Sequence, residues 1–167
     1  MPTLRRILLR IAQGLLALFL VIQLIRKPMD NDKEAEGPKS FAATMNPPVK
    51  VLRYLRDGCY DCHSNHTRYP WYAHVQPFGW IVAGHIRDGK RSLNLSEFST
   101  LSKSAQNKRL EYMLDAANEG DMPFWTYRML NPNSPPSPTQ MAAITGWMKE
   151  TLAAQNTAKS EANSSVK

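Results

Sequence analysis

The two cysteines of this chain, Cys59 and Cys62, sit three positions apart in the stretch "GCYDCHSNHTRYPWY", and His63 follows the second directly. All the thiol chemistry of 167 residues is thus gathered into one turn, and whatever that turn holds dictates what the rest must fold around. Three occupants come into question: a disulfide, a zinc ion, or a group bonded through both sulfurs. A disulfide over two intervening residues belongs to redox motifs in a strand-then-helix setting, which is missing here. As a structural staple it would close a very small loop and add little stability. Zinc would need Cys59, Cys62, His63 and His66, yet two of these are adjacent and the histidine spacing is shorter than usual. No second cysteine pair completes such a set.

C-x-x-C-H is the signature of covalent c-type haem attachment. Each thiol adds to one vinyl group of the porphyrin, and two intervening residues let both sulfurs reach adjacent edges of one ring. The next residue then lies beneath the iron and supplies an axial nitrogen. The motif predicts Cys59 and Cys62 as thioether donors, His63 as the proximal ligand, and one covalently attached haem c as the cofactor.

The N-terminal run supports that chemistry. Between Arg6 and Arg26 lie nineteen residues, Ile7 to Ile25, interrupted only by Arg10, Gln13, Gly14 and Gln23. A helix of that length covers about 30 Å, and Arg10 is near enough to one end to snorkel. Basic residues ahead of it favour keeping that end in the cytoplasm. The core ends in "VIQLIRKPMD", without the small residues a cleavage site wants, so an uncleaved signal anchor over 1–27 is expected. The rest of the chain is then exported, and c-type haem is attached on that side of the membrane. The expected place is a membrane, single-pass, with the C-terminal domain on its outer side. The formal charge of +7 is mostly a property of this end. From residue 28 onward sixteen Lys and Arg face fourteen Asp and Glu, with no basic block, so nucleic acid is not an expected partner.

Residues 28–45 are charged, rich in Pro and Gly, and free of apolar periodicity, which predicts a tether. A haem domain follows over 46–154. Asn46 suits the cap of a helix carrying Val51, Leu52 and Leu55 and stopped by Gly58. A second helix is expected from Pro77 to Asp88, with Gly89 as terminator. A third places Leu110, Met113, Leu114 and Ala117 on one face and ends at Gly120. In the last, Ser137 and Gln140 form a capping box, Pro138 takes the first position, and Met141, Ile144, Trp147, Met148 and Leu152 make the buried stripe. Residues 155–167 are polar and expected to be disordered. Nothing reads as a strand. The expected fold class is all-α, a helical domain with long loops behind one transmembrane helix.

The order of elements, a helix into C-x-x-C-H, loops, a methionine beside proline, then a final helix, is similar to that of cytochromes c, which implies a cytochrome c-like helical haem domain. More closely, "CYDCHSNHTRYPWY", "HIRDGKRSLNLSEF" and "GDMPFWTY" ahead of "ITGWM" resemble the small membrane-anchored haem-binding domain family of bacteria, over residues 45–152, which implies the bacterial inner membrane with the C-terminal domain periplasmic. This chain has Phe124 where that family usually continues Met-Pro with a second proline, and Asn131 where it often has histidine. Met122 is the expected distal ligand: it lies off the helical stripes that explain Met113, Met141 and Met148, and Pro123 stiffens its loop. His85 is the alternative, since it falls within the resemblance; bis-histidine ligation would lower the potential. His66 and His74 read as local hydrogen-bonders. Tyr69, Trp71, Tyr72, Trp80 and Trp125 are expected to wall the crevice, and Arg68 or Arg91 to pair with a propionate.

No Ser-His-Asp set, phosphate loop or carboxylate pair stands out, so catalysis by side chains is not expected. The expected function is that of a membrane-anchored monohaem cytochrome carrying electrons between periplasmic redox proteins, with lipid as its other partner. The alternative is a haem peroxidase or a gas or redox sensor with a labile sixth ligand.

Overall fold

The computed structural model describes residues 2–25, 31, 36–131 and 136–164. Helices α1 (Pro2–Ile22), α2 (Phe41–Met45), α3 (Val49–Gly58), α4 (Tyr60–His63), α5 (Phe78–Ser92), α6 (Lys103–Glu119), α7 (Trp125–Leu130) and α8 (Pro138–Ser164) follow one another, with single 3-10 turns at Trp71–His74 and Phe98–Thr100. No strand occurs among the described residues. Local chemistry sets several ends. The Ser137 N–H donates to Gln140 Oε1 at 2.7 Å while the Gln140 N–H donates to Ser137 Oγ at 3.3 Å, the reciprocal box that starts α8. Ser102 caps α6, and Gly120 ends it in the left-handed region at φ 77°.

Two boundaries differ from expectation. Asn46 does not start α3. It closes α2 at φ 46°, its N–H on the Ala42 carbonyl, because the prolines after it cannot extend a helix and asparagine tolerates that conformation. Gly89 does not stop α5, which continues to Ser92; the Leu93 N–H still bonds to the Gly89 carbonyl at 2.8 Å.

One core unites the helices. Phe41, Leu55, Leu95, Phe98, Leu110, Ile144 and Met148 are its most deeply buried members. α6 packs on α8, α8 on α3, and α4 on α5. Phe41 belongs to the segment expected to be a tether, yet it is 0 % exposed and meets Phe98 and Trp147 edge-on, at ring-centroid distances of 4.9 and 5.8 Å. Its N–H donates to the Leu95 carbonyl at 2.6 Å, and the Ser99 N–H to the Lys39 carbonyl at 3.0 Å. Asn31 exchanges two hydrogen bonds with the Thr67 backbone. The described part of 28–45 is therefore part of the domain: one aromatic side chain, invisible to periodicity, seats it. Residues 28–30 and 32–35 of that segment lie outside the described residues, as do Arg26 and Lys27.

The two ends need correction too. The tail expected to be disordered from residue 155 is helical through Ser164, since Ala, Gln, Lys and Glu sustain a helix already started; 165–167 lie outside the described residues. Among the described residues no helix is long and apolar enough to cross a membrane. α1 stops at Ile22 rather than Ile25, and Arg5, Arg6 and Arg10 occupy its first half. The uncharged part, Ile11 to Ile22, measures only about 18 Å at the α-helical rise. Beyond it the chain turns onto the domain: Gln23 exchanges hydrogen bonds with Gln76, and Trp80 Nε1 donates to the Ile25 carbonyl at 2.9 Å.

Candidate functional site

α3 runs almost directly into the cysteine motif. The Cys59 N–H donates to the Leu55 carbonyl at 2.8 Å, and the Cys59 carbonyl then accepts from Cys62 and His63 at 3.3 and 3.0 Å. C-x-x-C-H is thus one more helical turn, and residues three and four apart on such a turn share a face. The spacing that suits two sulfurs and an imidazole to one ligand is a consequence of helical geometry.

α5 fixes this turn from outside. A Cβ on Gly89 would lie 2.6 Å from the Cys62 carbonyl oxygen, so only glycine lets the helix come this close. Just past the end of α5, the Leu93 carbonyl lies 3.0 Å from His63 Nδ1, and the Leu95 N–H donates to the His63 carbonyl at 2.7 Å. A carbonyl only accepts, so Nδ1 carries the proton and Nε2 is left with its lone pair. Burial pushes the imidazole pKa down, against the Leu93 and Gly89 carbonyls that raise it, which favours the neutral, ligating form. No disulfide joins Cys59 and Cys62. Burial, helped by neighbouring Cys62 and Asp61, pushes Cys59 up to about 12; burial and Asp61 push Cys62 up to about 11. Neither is a ready thiolate in this fold.

Cys59, Cys62 and His63 line a cavity of about 330 Å³, within the usual range for small-molecule sites. α4 and α5 form one wall; α6, α8 and the segment 122–127 supply the others. On α6 the lining residues are Arg109, Tyr112, Met113, Ala116 and Ala117, spaced i, i+3, i+4, i+7 and i+8, so a whole helical face is turned to the space. Two alanines keep it open. Leu110, on the adjacent face, is fully buried in the core. From α8 come Met141, Ile144 and Met148.

Met122 and His85 both line the same cavity, together with Pro123, Phe124 and Tyr127. The His85 and Phe124 rings lie 5.3 Å apart, tilted by 33°. Tyr69, Trp71, Tyr72, Trp80 and Trp125 are not among the lining residues: Trp71 and Trp125 are 79 % and 66 % exposed, and Trp80 is turned to Ile25. The aromatic wall is Phe124, Tyr127 and Tyr112 instead. The arginines expected at propionates are not among the lining residues and are paired with carboxylates, one of which, Asp88, itself lines the cavity. Arg68 Nε bonds to Asp61 at 2.9 Å, and Arg91 to Asp88 at 2.5 Å. Arg109 is the cation that lines the cavity, and no ion pair holds it among the described residues. His66 and His74 are exposed and outside the cavity. Among the described residues no group of three His, Cys, Asp or Glu side chains converges to hold a metal ion.

Sequence reasoning missed Arg109, Tyr112, Phe124, Tyr127 and the close approach at Gly89. The α6 face was discernible as a second stripe beside Leu110 and Leu114, marked by adjacent alanines. Tyr127 and Gly89 depend on partners 66 and 27 positions away, and no local pattern announces them.

The cavity is largely apolar and carries two thiols and an oriented imidazole on one wall. A family model described as a haem-binding domain matches residues 17–150, most of the chain, and the protein belongs to that family. The match begins inside α1 and so includes Gln23, just past that helix, which bonds to the domain. No curated protein and no solved structure matches the chain.

Proposed function

We propose that this chain is a monohaem c-type cytochrome, with thioethers at Cys59 and Cys62 and iron ligated by His63 Nε2 and Met122, passing single electrons between redox proteins outside the cytoplasm. The observation that carries this reading is that both thiols, the oriented imidazole and Met122, drawn from positions 59 to 122, line one cavity. Bound haem supplies a one-electron iron couple. The residues do the rest. Leu93 holds the His63 ring in one tautomer, and a thioether from Met122 favours reduced iron. The leucine, isoleucine, methionine and alanine lining excludes water, and Arg109 is the cation at hand for a propionate.

Association with a membrane belongs to the same proposal. α1 exposes Leu8, Leu9, Leu16, Leu18, Leu20 and Val21 to about the same degree all round, with Arg5, Arg6 and Arg10 beside them, a surface suited to acyl chains and anionic headgroups. Attachment outside the cytoplasm, in the periplasm of a bacterium, follows from the c-type chemistry.

A second reading has one observation in its favour. α7, which follows Met122, buries none of its residues, so the sixth position is open to a peroxide or a gas if Met122 leaves readily. Protein made in a host competent for cytochrome c maturation separates these. Haem staining after denaturing electrophoresis and an intact mass increased by one haem are expected, both lost in Cys59→Ser/Cys62→Ser. A reduced spectrum unchanged by carbon monoxide supports the electron carrier, and ready binding supports the second reading. A bare-chain mass overturns both.

A further inference from the structure

Met122 stands on a segment that the apolar core does not hold. Its loop runs into α7, where no residue is buried and Met129 is 62 % exposed. Hydrophobic burial, which seats α3, α6 and α8, therefore contributes little to where α7 lies. Side-chain hydrogen bonds reach it from distant parts of the chain instead. Tyr127 Oη donates to Asp61 Oδ2 at 2.6 Å, and Asn131 Nδ2 donates to Tyr72 Oη at 2.5 Å.

The first of these bonds has an unusual address. Asp61 lies inside the C-x-x-C-H turn, 5 % exposed, two residues before His63. Its carboxylate is gripped from the other side by Arg68, with Nε on Oδ1 at 2.9 Å, Nη2 on Oδ2 at 3.1 Å and the backbone N–H on Oδ1 at 3.2 Å. The acceptor is thus anchored, and the phenol that reaches it lies five positions after Met122. One hydrogen bond ties the segment bearing Met122 to the turn bearing His63.

We propose that Tyr127 is a positioning residue for the sixth ligand, its bond to Asp61 latching the Met122 segment over the cavity and setting how often Met122 leaves the iron. This rests on Met122 being that ligand. A hydrogen bond to an anchored carboxylate is of the stronger kind. No buried side chain holds α7; the Asn131–Tyr72 bond and the Met122 N–H on the Ala116 carbonyl at 3.3 Å remain, and loss of the Tyr127 bond shifts the balance between closed and open segment.

Tyr127→Phe keeps the ring and removes only the donor. In the haem-loaded protein, the rate at which carbon monoxide binds the reduced form is expected to rise about ten- to a hundred-fold, the worth of one such bond. The midpoint potential shifts toward that of Met122→Ala. Asp61→Asn, which weakens the latch from its other end, is expected to move both readouts in the same direction. Haem stain and far-UV circular dichroism equal to wild type mark the variants as folded and loaded. If Met122→Ala itself leaves rate and potential unchanged, the assignment of Met122 fails, whatever Tyr127 does. If Met122→Ala changes them and Tyr127→Phe changes neither, the latch is overturned.

Discussion

Alanine at Gly89 forces α5 off the cysteine turn. The new Cβ would stand 2.6 Å from the Cys62 carbonyl oxygen, 3.2 Å from its carbonyl carbon and 3.4 Å from its Cβ. Comfortable contacts between non-bonded carbons begin at about 3.5 Å. The nearest atoms are backbone, in a turn tied to α3 through Cys59 and to the loop after α5 through Leu95, so no flexible side chain can swing aside. Overpacking of this kind costs about 1–3 kcal/mol, and a rigid neighbour puts it near the upper figure. Alanine's better helix propensity returns about 1 kcal/mol. The net expectation is a loss of about 2 kcal/mol, or about 4–8 °C in melting temperature for a domain of this size.

Gly84 supplies the control. It lies in the same helix with nothing within 4 Å of its ideal Cβ, so Gly84→Ala gains the propensity alone, about 1 kcal/mol. The same substitution in one helix is therefore expected to act with opposite signs, the two variants differing by about 3 kcal/mol. Thermal and urea denaturation of both proteins measure it. Because the Leu93 carbonyl that holds His63 lies one turn beyond Gly89, the loaded Gly89→Ala protein is also expected to show a perturbed haem spectrum. A Gly89→Ala protein as stable as Gly84→Ala would refute the reasoning.

Phe41→Ala, which removes a ring 0 % exposed between Phe98 and Trp147, is expected to cost about 3–5 kcal/mol in urea unfolding; a stability equal to wild type would mean that 36–45 is a free tether after all. In the haem-free folded chain, burial raises the thiol pKa from an ordinary 9.0 to about 12 at Cys59 and about 11 at Cys62. A raised thiol pKa withholds thiolate at every pH below it. Alkylation by iodoacetamide at pH 8 is then expected to be slower than in the unfolded chain by on the order of 1000-fold and 100-fold respectively, and to quicken about tenfold per pH unit until those values are reached. Mass spectrometry at intervals reads both sites, and modification at the unfolded rate contradicts the burial.

Local covalent pattern made part of the protein readable in advance. The capping box at Ser137 and Gln140 and the glycine stop at Gly120 depend on neighbours within a turn, and both stand as expected. The helical character of the whole follows from periodicity, which is likewise a short-range property. The gathering of Cys59, Cys62 and His63 on one face needs only that their turn be helical. What failed was of another kind. Whether 36–45 is tether or domain turned on where Phe41 found two aromatic rings, one 57 and the other 106 positions along. Gly89 looked like a stop because glycine often is one, and only the Cys62 carbonyl pressed against it says otherwise.

The sequence by itself determined a helical chain and one turn that presents two thiols and an imidazole together, because bonds between near neighbours depend on little else. Tertiary structure alone decided which residues enclose that turn, since Arg109, Phe124, Tyr127 and Gly89 acquire their roles from atoms that approach only when distant helices pack. Aromatic side chains show the difference most plainly. Trp71 and Trp125 carry the composition of a crevice wall but face solvent, while Tyr127 lines the cavity and reaches the carboxylate of Asp61. Burial is a property of the assembled surface, and no residue type carries it alone.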